Sequence, residues 1–141
     1  ARCAGATEVG DTLLLDGPIG AGKSTFARAF IRARLASPSE DVPSPTFTLV
    51  QTYESPALLL AHADLYRIAS VHEIEELGLV EAFETAICLV EWPDRLGTLA
   101  PKDALTLTFA QGREDDAREI AASWSHPRWA SLIANGTYHD A

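Results

Sequence analysis

The chain has 141 residues, is 47% apolar, and carries a net charge of −9 with a sequence pI near 4.8. That length and composition suit one globular domain with a sizeable core. They argue against a protein that grips nucleic acid by itself, because phosphate contacts need clustered Lys and Arg. No stretch is long and apolar enough to cross a membrane, and no signal-peptide pattern is present, so a reducing cytoplasm is the expected setting. The two cysteines, Cys3 and Cys88, sit in no ligand pattern; Cys88 lies in an apolar run and reads as a buried small hydrophobe.

Residues 1–11 are small and polar, with a turn at Gly10-Asp11. The apolar run at 12–16 predicts a strand. Gly17-Pro18-Ile19-Gly20-Ala21-Gly22-Lys23-Ser24 then fits the phosphate-binding pattern G-x-x-x-x-G-K-[ST] at every required position. A helix is expected over 23–35, with Phe26, Phe30 and Ile31 facing the sheet. A strand, loop and helix in that order is the context the motif needs. Its glycines allow a tight turn and close backbone approach, and successive N–H groups form an anion nest at a helix N-terminus. Lys23 would reach the β- and γ-phosphates, and Ser24 would place a hydroxyl on Mg2+.

Segment 36–45 holds three prolines and reads as loop. Alternation and β-branched residues predict a strand over 46–54, turned at Ser55-Pro56 into an antiparallel partner over 57–64. Ser70 is a candidate helix cap with Glu73 completing a capping box, for a helix 71–77 ending at Gly78 and a second short helix from Leu79 to Glu84. Residues 86–91 are apolar until Glu91, the pattern of a buried parallel strand ending at a functional edge. Trp92-Pro93 stops it, and 94–97 is turn. Strands are expected at 104–110 and 117–124 around a polar turn at 112–116. A short helix carrying Trp129 is expected at 126–134.

A phosphate loop alone does not separate ATPase, GTPase and kinase. Glu91, at the end of a buried strand, is the candidate second metal contact. Asp64, ending another strand, could position water or cap a helix. Thr46 and Thr48 follow a proline-rich loop, where a threonine can sense a γ-phosphate or simply occupy a strand. His62 reads as structural. Trp92 is expected at the sheet edge, stacking on a base or a partner or packing in the core. No Asn/Thr-Lys-x-Asp segment for guanine occurs, which favours adenine. The only arginines that could form a kinase lid, Arg113 and Arg118, fall in a hairpin.

Four blocks together resemble the bacterial TsaE (YjeE) family. They are the loop 17–24, Ser44-Pro45-Thr46-Phe47-Thr48-Leu49-Val50, His62-Ala63-Asp64-Leu65-Tyr66-Arg67, and Leu89-Val90-Glu91-Trp92-Pro93-Asp94-Arg95. The resemblance spans roughly residues 10–125. It implies an α/β fold, a P-loop NTPase-like three-layer sandwich whose mixed sheet includes antiparallel strands. It implies ATP/ADP and Mg2+ as cofactors, and weak ATP hydrolysis that partners enhance. Those partners would be TsaD-like and TsaB-like subunits, which modify adenosine 37 of tRNAs reading ANN codons with threonylcarbamoyl; tRNA would be met only through that complex.

By the same resemblance, Gly20, Ala21, Gly22, Lys23, Ser24 and Thr25 contact the nucleotide phosphates, and Trp92 lies near the nucleotide. Ser24 and Glu91 hold Mg2+. Residues 44–46 form a switch-like loop, and Lys23, Thr46, Asp64 and Glu91 serve hydrolysis. The sequence departs from the family pattern in having Ser24 for the usual Thr and Pro18-Ile19 for the frequent Asp-Leu. The family's N-terminal strand and helix are expected to be missing or trimmed from an otherwise single ATPase domain at 1–141. A small-molecule phosphotransferase and a non-catalytic nucleotide-dependent interaction module are the alternatives.

Overall fold

In the computed structural model the described residues are 7–56, 58–111 and 118–134. Cys3, the expected turn at 112–116 with Arg113, and the tail beyond 134 lie outside them; at Arg118, only the backbone is described. Strand β1 (Thr12–Asp16) leads through the phosphate loop into helix α1 (Lys23–Arg34). Antiparallel strands β2 (Val50–Ser55) and β3 (Leu58–Asp64) follow, then short helices α2 (Val71–Glu76) and α3 (Leu79–Thr85). Strand β4 (Ile87–Glu91) runs into a 3₁₀ segment, Pro93–Leu99, broken at Gly97. Strands β5 (Leu105–Gln111) and β6 (Arg118–Ser123) and helix α4 (Pro127–Ala134) complete the order.

The six strands make one sheet in the order β2-β3-β4-β1-β5-β6. The inner four, β3, β4, β1 and β5, are parallel, and each edge strand is antiparallel to its neighbour. This mixed pattern follows from connection length. The short turn after Ser55 permits only an antiparallel return, whereas the parallel pairs are joined by helical crossovers. β1 lies between β4 and β5, where crossovers leave in opposite directions. In open α/β sheets that arrangement opens a crevice at the strand C-termini, and here it falls at Asp16 and Glu91.

Period-2 alternation sorts the side chains into two layers. Leu13, Leu15, Leu60, Ile87, Leu89, Leu105, Leu107 and Phe109 pack under α1 with Ala27, Phe30 and Ile31. The α1 residues recur at i, i+3 and i+4, the spacing that puts them on one helix face. Truncating a fully buried side chain of this kind, such as Phe30 to Ala, costs about 3–5 kcal/mol. Leu14, Ala63 and Val90 face the other way, onto Ile74, Leu79 and Leu96. α4 closes the first layer with buried Trp129, whose Nε1–H donates to the Asp103 carbonyl at 2.6 Å. Arg128 donates to Asp11 at 2.6 Å.

Local signals in the sequence have direct counterparts. The Ser70 hydroxyl accepts from Glu73 N–H, and the Glu73 carboxylate reaches back to Ala69 N–H at 3.0 Å. Gly78 takes the left-handed conformation (φ 76°) that separates α2 from α3. Cys88 is fully buried, and burial pushes its thiol up to about 12, leaving it inert as a nucleophile.

One expectation needs correction. The strand expected from residue 46 begins only at Val50, because residues 46–48 form a turn. Leu49 N–H donates to Pro45 O, and Leu49 itself sits at φ 69°. β-branched content alone misplaces the strand start, since a left-handed residue cannot continue a pleated ladder.

Candidate functional site

The phosphate loop begins where β1 ends. Gly20 has φ 81° and lies at the third position of a turn closed by Ala21 N–H donating to Pro18 O at 3.2 Å. That is the position where a type II turn requires glycine. Gly17 is fixed by a different cause. A Cβ there would lie 2.5 Å from the Phe109 carbonyl oxygen of β5, and its φ is +140°. Gly22, at φ 109°, caps α1 in the left-handed region. Pro18 and Ile19 form the exposed tip, and Pro18 supplies the carbonyl that closes the turn.

The loop presents Lys23 inward. Lys23 is only 5% exposed, yet it stands at the first position of a helix. Its Nζ donates to the Gly17 carbonyl and sits 3.5 Å from the centroid of the Trp92 ring. Burial pushes this amine below its ordinary 10.5, while Glu91, Asp64, Asp16 and Asp94 pull it back up. A buried cation at the start of a helix, beside a glycine-rich loop, is chemically suited to receive negative charge.

β4 delivers the carboxylate opposite. Glu91 is 2% exposed. Its Oε1 accepts from the Ser24 hydroxyl at 3.1 Å, and its Oε2 lies 2.7 Å from His62 Nε2. β3 brings Asp64 alongside, because Asp64 and Glu91 are register partners in the parallel ladder. Asp64 is 7% exposed and accepts from Tyr66 N–H at 3.0 Å, a local turn bond. The structure therefore gathers Lys23, Ser24, Asp64, Glu91 and Trp92 at one end of the sheet.

Trp92 takes φ 59° and ψ 54°. A left-handed tryptophan costs on the order of 1–2 kcal/mol of backbone strain, and here the turn goes with a ring lying over Lys23. The ring is half-buried and also meets Tyr66, with centroids 4.9 Å apart. It packs against the second core layer while covering the lysine. The sequence alternatives of edge and core thus describe two faces of one side chain.

The remaining expected residues lie nearer the surface. Thr25 is exposed in the first turn of α1. Thr46 is half-buried, with its hydroxyl 2.9 Å from that of Ser44. Phe47 beside it is 80% exposed under the Arg67 guanidinium, 4.5 Å from its ring centroid. This loop is tied to the site through its backbone: Asp64 N–H donates to Leu49 O at 2.9 Å. His62 was read from the sequence as structural, without its contact to Glu91 being foreseen. Its signal was periodicity, since position 62 shares a strand face with Asp64.

The donor set suits a small hard cation beside phosphates. Ser24 Oγ and Glu91 Oε1 are adjacent oxygen donors, and Mg2+ is commonly held by one or two protein oxygens plus substrate phosphates. Among the described residues no group of three or more His, Cys, Asp or Glu side chains could hold a metal without such help.

A mixed sheet between helical layers, with a glycine-rich loop joining its central strand to a helix, defines a P-loop NTPase-like three-layer α/β protein. The solved structure of Bacillus subtilis YdiB superposes with a TM-score of 0.74 at 30% identity, covering 94% of this chain and 80% of that one. The family model described as "Threonylcarbamoyl adenosine biosynthesis protein TsaE" matches residues 1–120, and the chain belongs to that family. Relatives bearing the name tRNA threonylcarbamoyladenosine biosynthesis protein TsaE include one from Bacillus subtilis, 37% identical over 93% of this chain and 80% of its own length. Another, from Rickettsia bellii, is 39% identical over 75% of this chain and 72% of its own. One from Haemophilus influenzae is 35% identical over 81% and 70%.

Proposed function

We propose that this chain, as one ATPase domain, binds ATP with Mg2+ at the β1–β4 end of its sheet and hydrolyses it in support of tRNA threonylcarbamoyladenosine synthesis. The observation that carries the reading is the Ser24–Glu91 contact. It joins the last residue of a phosphate-binding motif to a buried strand-end carboxylate, beside a buried lysine. Membership in the TsaE family sets the pathway.

Each residue then has a distinct task. The N–H groups of Gly20, Gly22, Lys23, Ser24 and Thr25 line the phosphate cradle, and Ala21 joins them once its N–H gives up the Pro18 carbonyl. Lys23 exchanges its contact with the Gly17 carbonyl for the β- and γ-phosphates. Ser24 and Glu91 would hold Mg2+, which would supply positive charge to offset that of the phosphates. Asp64 orients the attacking water. Thr46, on a surface loop whose backbone ends at Asp64, reports the γ-phosphate. Trp92 borders the nucleotide and shields Lys23 from solvent. The product, ADP, occupies the same cradle.

The partners in this reading are TsaD-like and TsaB-like subunits that carry out the transfer to adenosine 37 of tRNAs reading ANN codons. An acidic chain of net charge −9 fits a role in which those subunits hold the tRNA. The test is multiple-turnover modification in a reconstituted mixture of both subunits, tRNA and this protein. Lys23→Ala, folded by circular dichroism, is expected to lower turnover at least 100-fold. Turnover within twofold of wild type would remove the phosphate loop from the function.

A further inference from the structure

His62 lies on β3, 2% exposed, on the sheet face that carries Leu60, Leu89 and α1. Its Nε2 is 2.7 Å from Glu91 Oε2, with both side chains almost wholly buried. An ionised carboxylate only accepts, so the shared proton is assigned to Nε2 and the ring is the donor. Among the described residues Nδ1 has no hydrogen-bond partner. A buried imidazole with half its polar capacity unmet is a poor choice for stability alone. A leucine would suit the apolar neighbours better.

We propose that His62 is a positioning residue for Glu91. Its Nε2–H holds Oε2 and stops rotation of the carboxylate. The other oxygen, Oε1, is thereby presented to the Ser24 hydroxyl. The two oxygens of Glu91 have separate tasks, one facing the sheet and one facing the phosphate loop. Lys or Arg could hold the same oxygen, but a permanent positive charge there would weaken Glu91 as a cation ligand. This inference rests on the reading that Ser24 and Glu91 hold the metal of a bound nucleotide. Outer contacts of this kind are commonly worth 10–100-fold in metal affinity.

Mn2+ is the probe, its binding to the protein–ADP complex followed by electron paramagnetic resonance, with ADP affinity measured separately in EDTA. His62→Leu is expected to weaken Mn2+ about 10–100-fold and leave ADP affinity in EDTA within about twofold. His62→Gln, whose amide nitrogen reaches the place of Nε2, should recover Mn2+ affinity to within about threefold of wild type, and the shorter His62→Asn should not. Wild-type Mn2+ affinity in folded His62→Leu, or equal losses of Mn2+ and ADP affinity, would overturn the assignment. If His62→Leu fails to fold, Gln against Asn decides, and equal affinities overturn it. Absence of any nucleotide-dependent Mn2+ signal in wild type would instead bring down the functional reading itself.

Discussion

The two flanks of the site are built differently. On one, Lys23, His62, Asp64 and Glu91 are all at most 7% exposed, the last three held by strands of the central sheet and Lys23 by the first turn of α1. On the other, the loop ahead of β2 leaves Phe47 80% exposed and joins the Ser44 and Thr46 hydroxyls to each other. The first flank shares its residues with the core, so a change in its chemistry is also a change in packing. The second is anchored in the core by Val42 and Pro45, and only its outer residues around Phe47 can rearrange at little cost in buried surface. Under the proposed function, such a division would put metal and phosphate binding on the rigid part and leave response to the bound state to the outer loop.

The comparison breaks most directly at Gly17. Gly17→Ala would force a Cβ to within 2.5 Å of a β5 carbonyl, backbone that cannot swing aside. We expect a loss of about 2–4 kcal/mol of stability in urea denaturation. A loss under about 0.5 kcal/mol would mean the rigid flank yields as readily as the loop.

Lys23 sharpens the comparison through pH. Burial lowers the amine in the free protein, and bound phosphates would raise it again. The bound form then holds the proton to higher pH than the free form. ADP affinity should be constant at neutral pH and fall in the alkaline range, between the free and bound values, by up to about tenfold per pH unit. Folding has the opposite sign: with the folded value below 10.5, the cost of burying the charge is present at neutral pH and is relieved as pH rises from the lowered value toward 10.5, so stability rises where ADP affinity falls. Calorimetric titration of ADP across alkaline pH checks the first statement, and a pH-independent affinity would contradict it.

The smallest effect belongs to the open flank. Phe47→Ser should change stability by less than about 0.5 kcal/mol, since the ring is exposed and meets only the Arg67 guanidinium among the ring contacts described. A loss above about 1 kcal/mol in the same urea assay would show that this loop is part of the core after all.

The rigid flank was also the legible one. Gly17 through Ser24 carry a spacing with few other uses. Glu91 ends an apolar run that only a buried parallel strand explains. Ser70 and Glu73 mark a helix start by chemistry local to four residues. Each signal is short in sequence, so none needs the tertiary fold to be read. Residues 46–49 failed because β-branched alternation says strand, whereas the turn there depends on Leu49 adopting a left-handed backbone. The contact of His62 could not be read from the sequence, because its partner Glu91 lies 29 positions away. Trp92 needed its dihedral angles before both of its faces could be assigned.

The hydrogen bond from Asp64 N–H to Leu49 O acts as a ruler for insertions. It sits at the mouth of the β2–β3 ladder, one step beyond the Val50–Ala63 pair. Residues added between the buried anchors Val42 and Pro45, at exposed Pro43 and Ser44, change how far that loop reaches without sliding β2 along β3. Loop length can therefore drift between related chains, or be altered by design, while the register that seats Asp64 beside Glu91 stays in place.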